Sequence, residues 1–148
     1  MRKLLSLLNI IAASALLFGC GCGGEINIPI EVQNAHDLGS LQIELYYEAD
    51  VIEIVEVKAE DIGENALLEF NADNPGLLVI GIADSSGING SGSIVSISFD
   101  VLEKDSASSL TIKNATAHDV NTLVDLPTSL TQGSFAGGDV SPPTIRFE

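Results

Sequence analysis

The chain holds 148 residues, 45% of them hydrophobic, which suits one domain with a buried core and excludes a disordered chain. Its formal net charge of −15, from 6 basic and 21 acidic residues, sets it against nucleic acid, whose phosphates such a surface repels, and toward basic partners or cations. Its two cysteines, Cys20 and Cys22, are too few for a disulfide framework, and a C-x-C pair supplies only two of the four ligands a structural zinc takes.

Arg2 and Lys3 precede an apolar run from Leu4 to Phe18, broken only by Ser6, Asn9 and Ser14. A basic start, a short apolar stretch and a small-residue exit describe a secretory signal, and the run is shorter than the roughly 20 residues of a transmembrane helix. Its exit, Leu17-Phe18-Gly19-Cys20, resembles the bacterial lipobox, although Phe18 is larger than the residue usual at that place. That resemblance implies a signal peptide over 1–19, lipidation of Cys20, and a glycine tether over 20–24. The chain is then exported to the envelope or outer surface and held to a membrane by its N-terminal lipid. A disulfide between residues two apart would constrain little.

From residue 25 onward the pattern is that of strands. Ile26, Ile28, Ile30 and Val32 alternate with Asn27, Pro29 and Glu31, and Pro29 points to an edge position. "LQIELYYE" places Leu41, Ile43, Leu45 and Tyr47 on one face and Gln42, Glu44, Tyr46 and Glu48 on the other. "VIEIVEV" follows, then helix formers that suit a turn of helix near Ala59–Asn65, then "ALLEF" and "GLLVIGIA" separated by the turn-rich "NADNPG". "SSGINGSG" reads as a loop, "SIVSISFDV" and "SLTIKNATA" as strands, and "QGSFAG" as a late short strand. "GGDVSPPTIRFE", with its paired prolines, reads as a tail over 138–148. About nine short antiparallel strands punctuated by turns predict an all-β sandwich or jelly roll over 25–137.

The motifs of catalysis are lacking. "ADSSG" sets Ser85 and Ser86 beside Asp84 without a nucleophile elbow, and His36 and His118 each read as an exposed loop histidine. "DVNTLVD" is the best place for structural calcium, but an EF-hand loop needs an oxygen ligand and then glycine where Leu123 and Val124 stand, so no cofactor is expected. Direct glycan binding is the alternative function, but it draws on large exposed aromatics, and the chain has no Trp and 2 Tyr.

The ordered set of segments "LGSLQIELYYEADVIEIVEVKAEDI", "VIGIADSSG", "GSIVSISFDV" and "LTIKNATAHDVNTLVDL" resembles the cohesin family, over about residues 25–137. Tyr47-Glu48 and Val57-Lys58-Ala59-Glu60-Asp61-Ile62 stand where that family carries Tyr-Asp and a Lys-Ala-Gly-Asp-Ile stretch. The resemblance implies a nine-stranded jelly-roll sandwich that is not an enzyme. It implies a dockerin-like protein partner, from assemblies that degrade polysaccharide, bound on one sheet face. By position the partner-binding face is Ser40, Gln42 and Glu44, then Gly81, Ala83 and Asp84, with Gly87 and Leu123. Dockerin-binding members carry Asn and Asp at the places of Ser40 and Gln42, so this chain's recognition chemistry differs there.

Overall fold

The computed structural model describes residues 24–148; the signal segment, Cys20 and Cys22 lie outside the described residues. Nine strands run β1 (Gly24–Tyr46), β2 (Ile52–Ala59), β3 (Leu67–Asn71), β4 (Leu77–Val101), β5 (Ala107–Asp119), β6 (Thr128–Thr131), β7 (Gly133–Ala136), β8 (Asp139–Ser141) and β9 (Thr144–Phe147). A 3-10 turn over Asp61–Gly63 occupies the place where a helical turn was expected.

Two strands are much longer than the pattern suggested, and they build the sandwich. The first half of β1 pairs with the second half of β4, and the second half of β1 pairs with the first half of β4. β2, β9 and β6 extend the first layer. β3 and β5 flank the second, and β7 and β8 continue it beyond the start of β5. Each long strand therefore bends from one layer into the other. In β1 the bend falls between Val32 and Ser40, where the register slips and Asn34 and Asp37 adopt φ of 59° and 49°. Asn and Asp tolerate this left-handed backbone better than other side-chain-bearing residues.

"SSGINGSG" is the matching bend of β4, a continuation of the strand where a free loop was expected. Its polar side chains replace ladder bonds that the bend of β1 breaks. Ser91 Oγ accepts from the Asn34 amide at 3.0 Å, and Asn89 Oδ1 accepts from the Asp37 amide at 2.9 Å. A broken ladder would otherwise leave these donors unpaired.

The core lies between the layers and is built from the alternating residues. Ile28, Ile30 and Val32 meet Leu41, Ile43 and Leu45 through the bend, with Leu78, Ile80, Ile97 and Phe99 from β4. Tyr47 turns inward as expected and packs edge-on against Phe99, ring centroids 5.5 Å apart, while Tyr46 faces out. Each such fully buried side chain contributes about 1.5–3 kcal/mol.

The expected tail over 138–148 is corrected. β8 pairs with β7, and β9 pairs in parallel with Glu31–Gln33 of β1 and antiparallel with β6. "TIRF" has period 2, which buries Ile145 and Phe147 and leaves Arg146 exposed. Pro142 and Pro143 mark the crossing between layers. A proline lacks the amide donor but keeps its carbonyl, and Pro143 uses it to accept from the Glu31 amide at 3.1 Å. Pro29 stands just ahead of that junction, paired to Ser96 on β4.

Candidate functional site

The outer face of the second layer follows from the register of four strands. Leu67, Ala83, Ser40 and His118 stand side by side on β3, β4, β1 and β5. Two residues along, Glu69, Gly81, Gln42 and Thr116 form a second row, and Asn71, Val79, Glu44 and Asn114 a third. With strands about 4.8 Å apart, each row spans roughly 14 Å, and successive rows on the same face lie about 7 Å apart.

The floor of this face is low because its central positions carry little side chain. A Cβ added at Gly81 would meet nothing within 4 Å. Gly81 and Ala83 on β4, with Ser40 and Gln42 on β1, lie between walls of Leu67 and Glu69 on one side and Thr116 and His118 on the other. They enclose a groove of about 440 Å³ running along the strands. The strands that carry its two walls, β3 and β5, stand roughly 14 Å apart, room for an α-helix of about 10–12 Å diameter.

At the first row the groove opens into a wider cleft of about 1120 Å³, lined by Ser40, Ala83, Asp84, Gly87, His118 and Leu123 among others. Gly87 has a φ of 80° and sits against Val120 and Asp37, so a side chain there would strain the backbone and crowd both neighbours. Asp84 turns its Oδ1 back to accept from the Ser86 amide at 2.8 Å, closing a local turn. Leu123 is 76% exposed, with φ of 60°, at the tip of the segment after β5. Asp119 supports that tip: its Oδ1 accepts from the amides of Asn121 at 2.7 Å and Thr122 at 2.8 Å. The bond from Thr122, then that from Asn121, stabilises the charged form and holds the Asp119 carboxyl below its ordinary pKa.

All eight residues expected at the partner face thus fall on one side of the molecule. Ser40 and Ala83 occupy the first row, Gln42 and Gly81 the second, Glu44 the third, and Asp84, Gly87 and Leu123 the mouth of the cleft. Leu67, Glu69, Thr116 and His118 complete the face and were not anticipated. Continuing the alternation of "LLEF" and "NATAH" to the outward positions is the signal that finds them. Leu67, 77% exposed, is the largest apolar group in the first row.

His118 is corrected: it is half-buried at the end of β5, where an exposed loop histidine was expected. Its Nδ1 lies 3.2 Å from Ser40 Oγ and its Nε2 lies 3.0 Å from Asp125 Oδ1. These are the residue types of a nucleophilic triad, but Ser40 sits on β1 where its bend ends, without a nucleophile elbow, and the Asp125 side chain is 84% exposed. The chain of contacts ties β1, β5 and the Leu123 segment together. His36 is exposed as expected, 3.1 Å from Asp37. Negative charge dominates the face through Asp61, Asp84, Asp119, Asp125, Glu69 and Glu44, while Lys113 lies over the Tyr46 ring at 5.3 Å.

Comparison with known proteins agrees with this architecture. The family model described as "Cohesin domain" matches residues 21–136. No curated protein sequence matches the chain. Among solved structures, a non-cellulosomal cohesin from the archaeon Archaeoglobus fulgidus is 23% identical, with a TM-score of 0.62 over 84% of this chain and 80% of that one. The sixth cohesin of Acetivibrio cellulolyticus scaffoldin B, in complex with the Cel5 dockerin, is 19% identical, with a TM-score of 0.67 over 77% and 89%. The OlpC cohesin of Clostridium thermocellum, in complex with a dockerin, is 18% identical, with a TM-score of 0.65 over 84% and 86%. These likenesses show the shared fold. With a family model spanning most of its length and a nine-stranded sandwich carrying the expected segments in order, the chain belongs to the cohesin family.

Proposed function

We propose that the chain is a non-catalytic capture module that binds a dockerin-type partner on the outer face of β3, β4, β1 and β5. The observation that carries this reading is the groove floored by the small or short side chains of Gly81, Ala83, Ser40 and Gln42, open above Gly81. A partner helix laid along it would bury the floor closely, with Leu67 and Leu123 as apolar contacts at the cleft and the surrounding acids steering a basic surface into place. The cohesins of Acetivibrio cellulolyticus and Clostridium thermocellum that share the fold are themselves seen with dockerins. Lipid on Cys20 would hold the module at the cell envelope, where captured polysaccharide-degrading proteins would be retained.

The test is calorimetric titration of the chain, from Gly24 to Glu148, with individually produced dockerin modules of the source organism. Saturable binding of at least one module is expected. Binding of none, together with retention on a polysaccharide column, would replace this reading with direct glycan recognition. Mass spectrometry of the mature N-terminus tests the anchor: a diacylglyceryl group on Cys20 is expected, and a free thiol there makes the protein a secreted one.

A further inference from the structure

The Ser40 hydroxyl stands in the first row of the face, and the histidine beside it sets which way it can hydrogen-bond. His118 Nε2 is 3.0 Å from a carboxylate oxygen of Asp125. An ionised carboxylate only accepts, so a neutral His118 carries its proton on Nε2. Its Nδ1 is then a bare lone pair 3.2 Å from Ser40 Oγ, and Ser40 donates its one proton to it. What Ser40 turns toward the groove is lone pairs. Ala83 and Leu67 complete the row without a side-chain donor, and Asp61, Asp84 and Asp119 line the cleft beyond.

We infer that the first row is an acceptor-only subsite that selects a partner bringing a cationic hydrogen-bond donor, a Lys or Arg side chain, to Ser40. This rests on the docking reading above. Leu67 and Leu123, 77% and 76% exposed, are placed to cover the aliphatic stem of such a side chain while its head meets Ser40 and the acids. Protonation of His118 ends the acceptor-only state of the subsite. Both ring nitrogens then donate, Ser40 gives one lone pair to Nδ1–H, and what it turns outward is its own proton beside a single remaining lone pair, a poorer acceptor for the partner's donor. A positive charge is added at the same moment. The titratable groups around His118 are Asp125 and Asp119 on its own segment, Glu69 from β3, Asp84 from β4 and Asp61 from the 3-10 turn, with His36 and Asp37 at the bend of β1. His36 is the other imidazole among them, the side-chain type that responds to pH between about 5 and 8.

The experiment uses the full chain and dockerin modules of the source organism, titrated at about pH 7.5 and about pH 5.5, the two sides of that range. Variants His118→Gln and His36→Gln are compared with the unaltered chain, and the tautomer of His118 is read by nitrogen-15 NMR in the free protein. Affinity of the unaltered chain and of His36→Gln should fall about tenfold at the lower pH, as for a lost hydrogen bond to a charged group. His118→Gln should show less than about a third of that loss, and the imidazole should carry its proton on Nε2 near neutrality. An equal loss in His118→Gln, or a proton on Nδ1 near neutrality, overturns the inference. If no module binds at either pH, the docking reading fails by itself. The tautomer then decides the state of Ser40 alone: Nε2–H supports the acceptor state and Nδ1–H overturns it.

Discussion

Substituting Ile145→Ala tests whether the end of the chain is part of the domain. Ile145 is fully buried on β9, paired to Val32 of β1 in parallel and to Leu130 of β6 antiparallel. Removing a buried isoleucine down to alanine costs about 2–5 kcal/mol, the lost transfer energy plus the cavity left behind. Taking about 3 kcal/mol and a urea slope of about 1.5 kcal/mol per M, the unfolding midpoint should fall by about 2 M. Val140→Ala, on the exposed β8, is the matched control and should move it by about 0.3 M or less, as surface changes do. The assay is equilibrium urea unfolding followed by circular dichroism. Refutation would be an Ile145→Ala midpoint no further displaced than that of Val140→Ala, which would return residues 138–148 to the status of a tail.

Gly81→Arg should abolish dockerin capture by filling the groove while leaving thermal unfolding within about 0.5 kcal/mol, because the new Cβ meets open space; intact capture would remove the groove from the binding site. Gly63→Ala should destabilise the domain by about 1–3 kcal/mol, since its Cβ would clash with the Ile94 carbonyl oxygen, and thermal denaturation reads this directly. The Asp119 carboxyl should titrate by NMR below 3.8, its pKa lowered chiefly by the Thr122 amide. A lowered native pKa contributes stability that is complete above 3.8 and lost as pH falls through the native value, so the contribution of Asp119 persists through mild acid. A midpoint at or above 3.8 would contradict the bonding of the Leu123 segment.

Alternation alone determined the fold class and most of the core. Leu41, Ile43, Leu45 and Tyr47 are buried, while Gln42 and Tyr46 are exposed, because side chains of a strand point alternately to its two faces. The same logic assigned Gln42 and Glu44 to the outer face. What alternation cannot supply is pairing. "SSGINGSG" carries no apolar period, yet Ser91 and Asn89 replace the ladder bonds of a neighbouring bend, so it is strand by virtue of its partner. "TIRF" is too short to compete with its flanking prolines until β1 and β6 offer edges on both sides.

The face shows the same division. Ser40 and His118 are 78 positions apart in the sequence, and Asp125 belongs to neither strand. Composition marks each as an ordinary polar residue. Only the register that sets β5 beside β1 brings hydroxyl, imidazole and carboxylate into one line, because a hydrogen bond acts over about 3 Å and depends on where folding leaves its two ends. Alternation along each strand tells which of its sides faces water; the pairing of the strands sets which of those outward residues stand together.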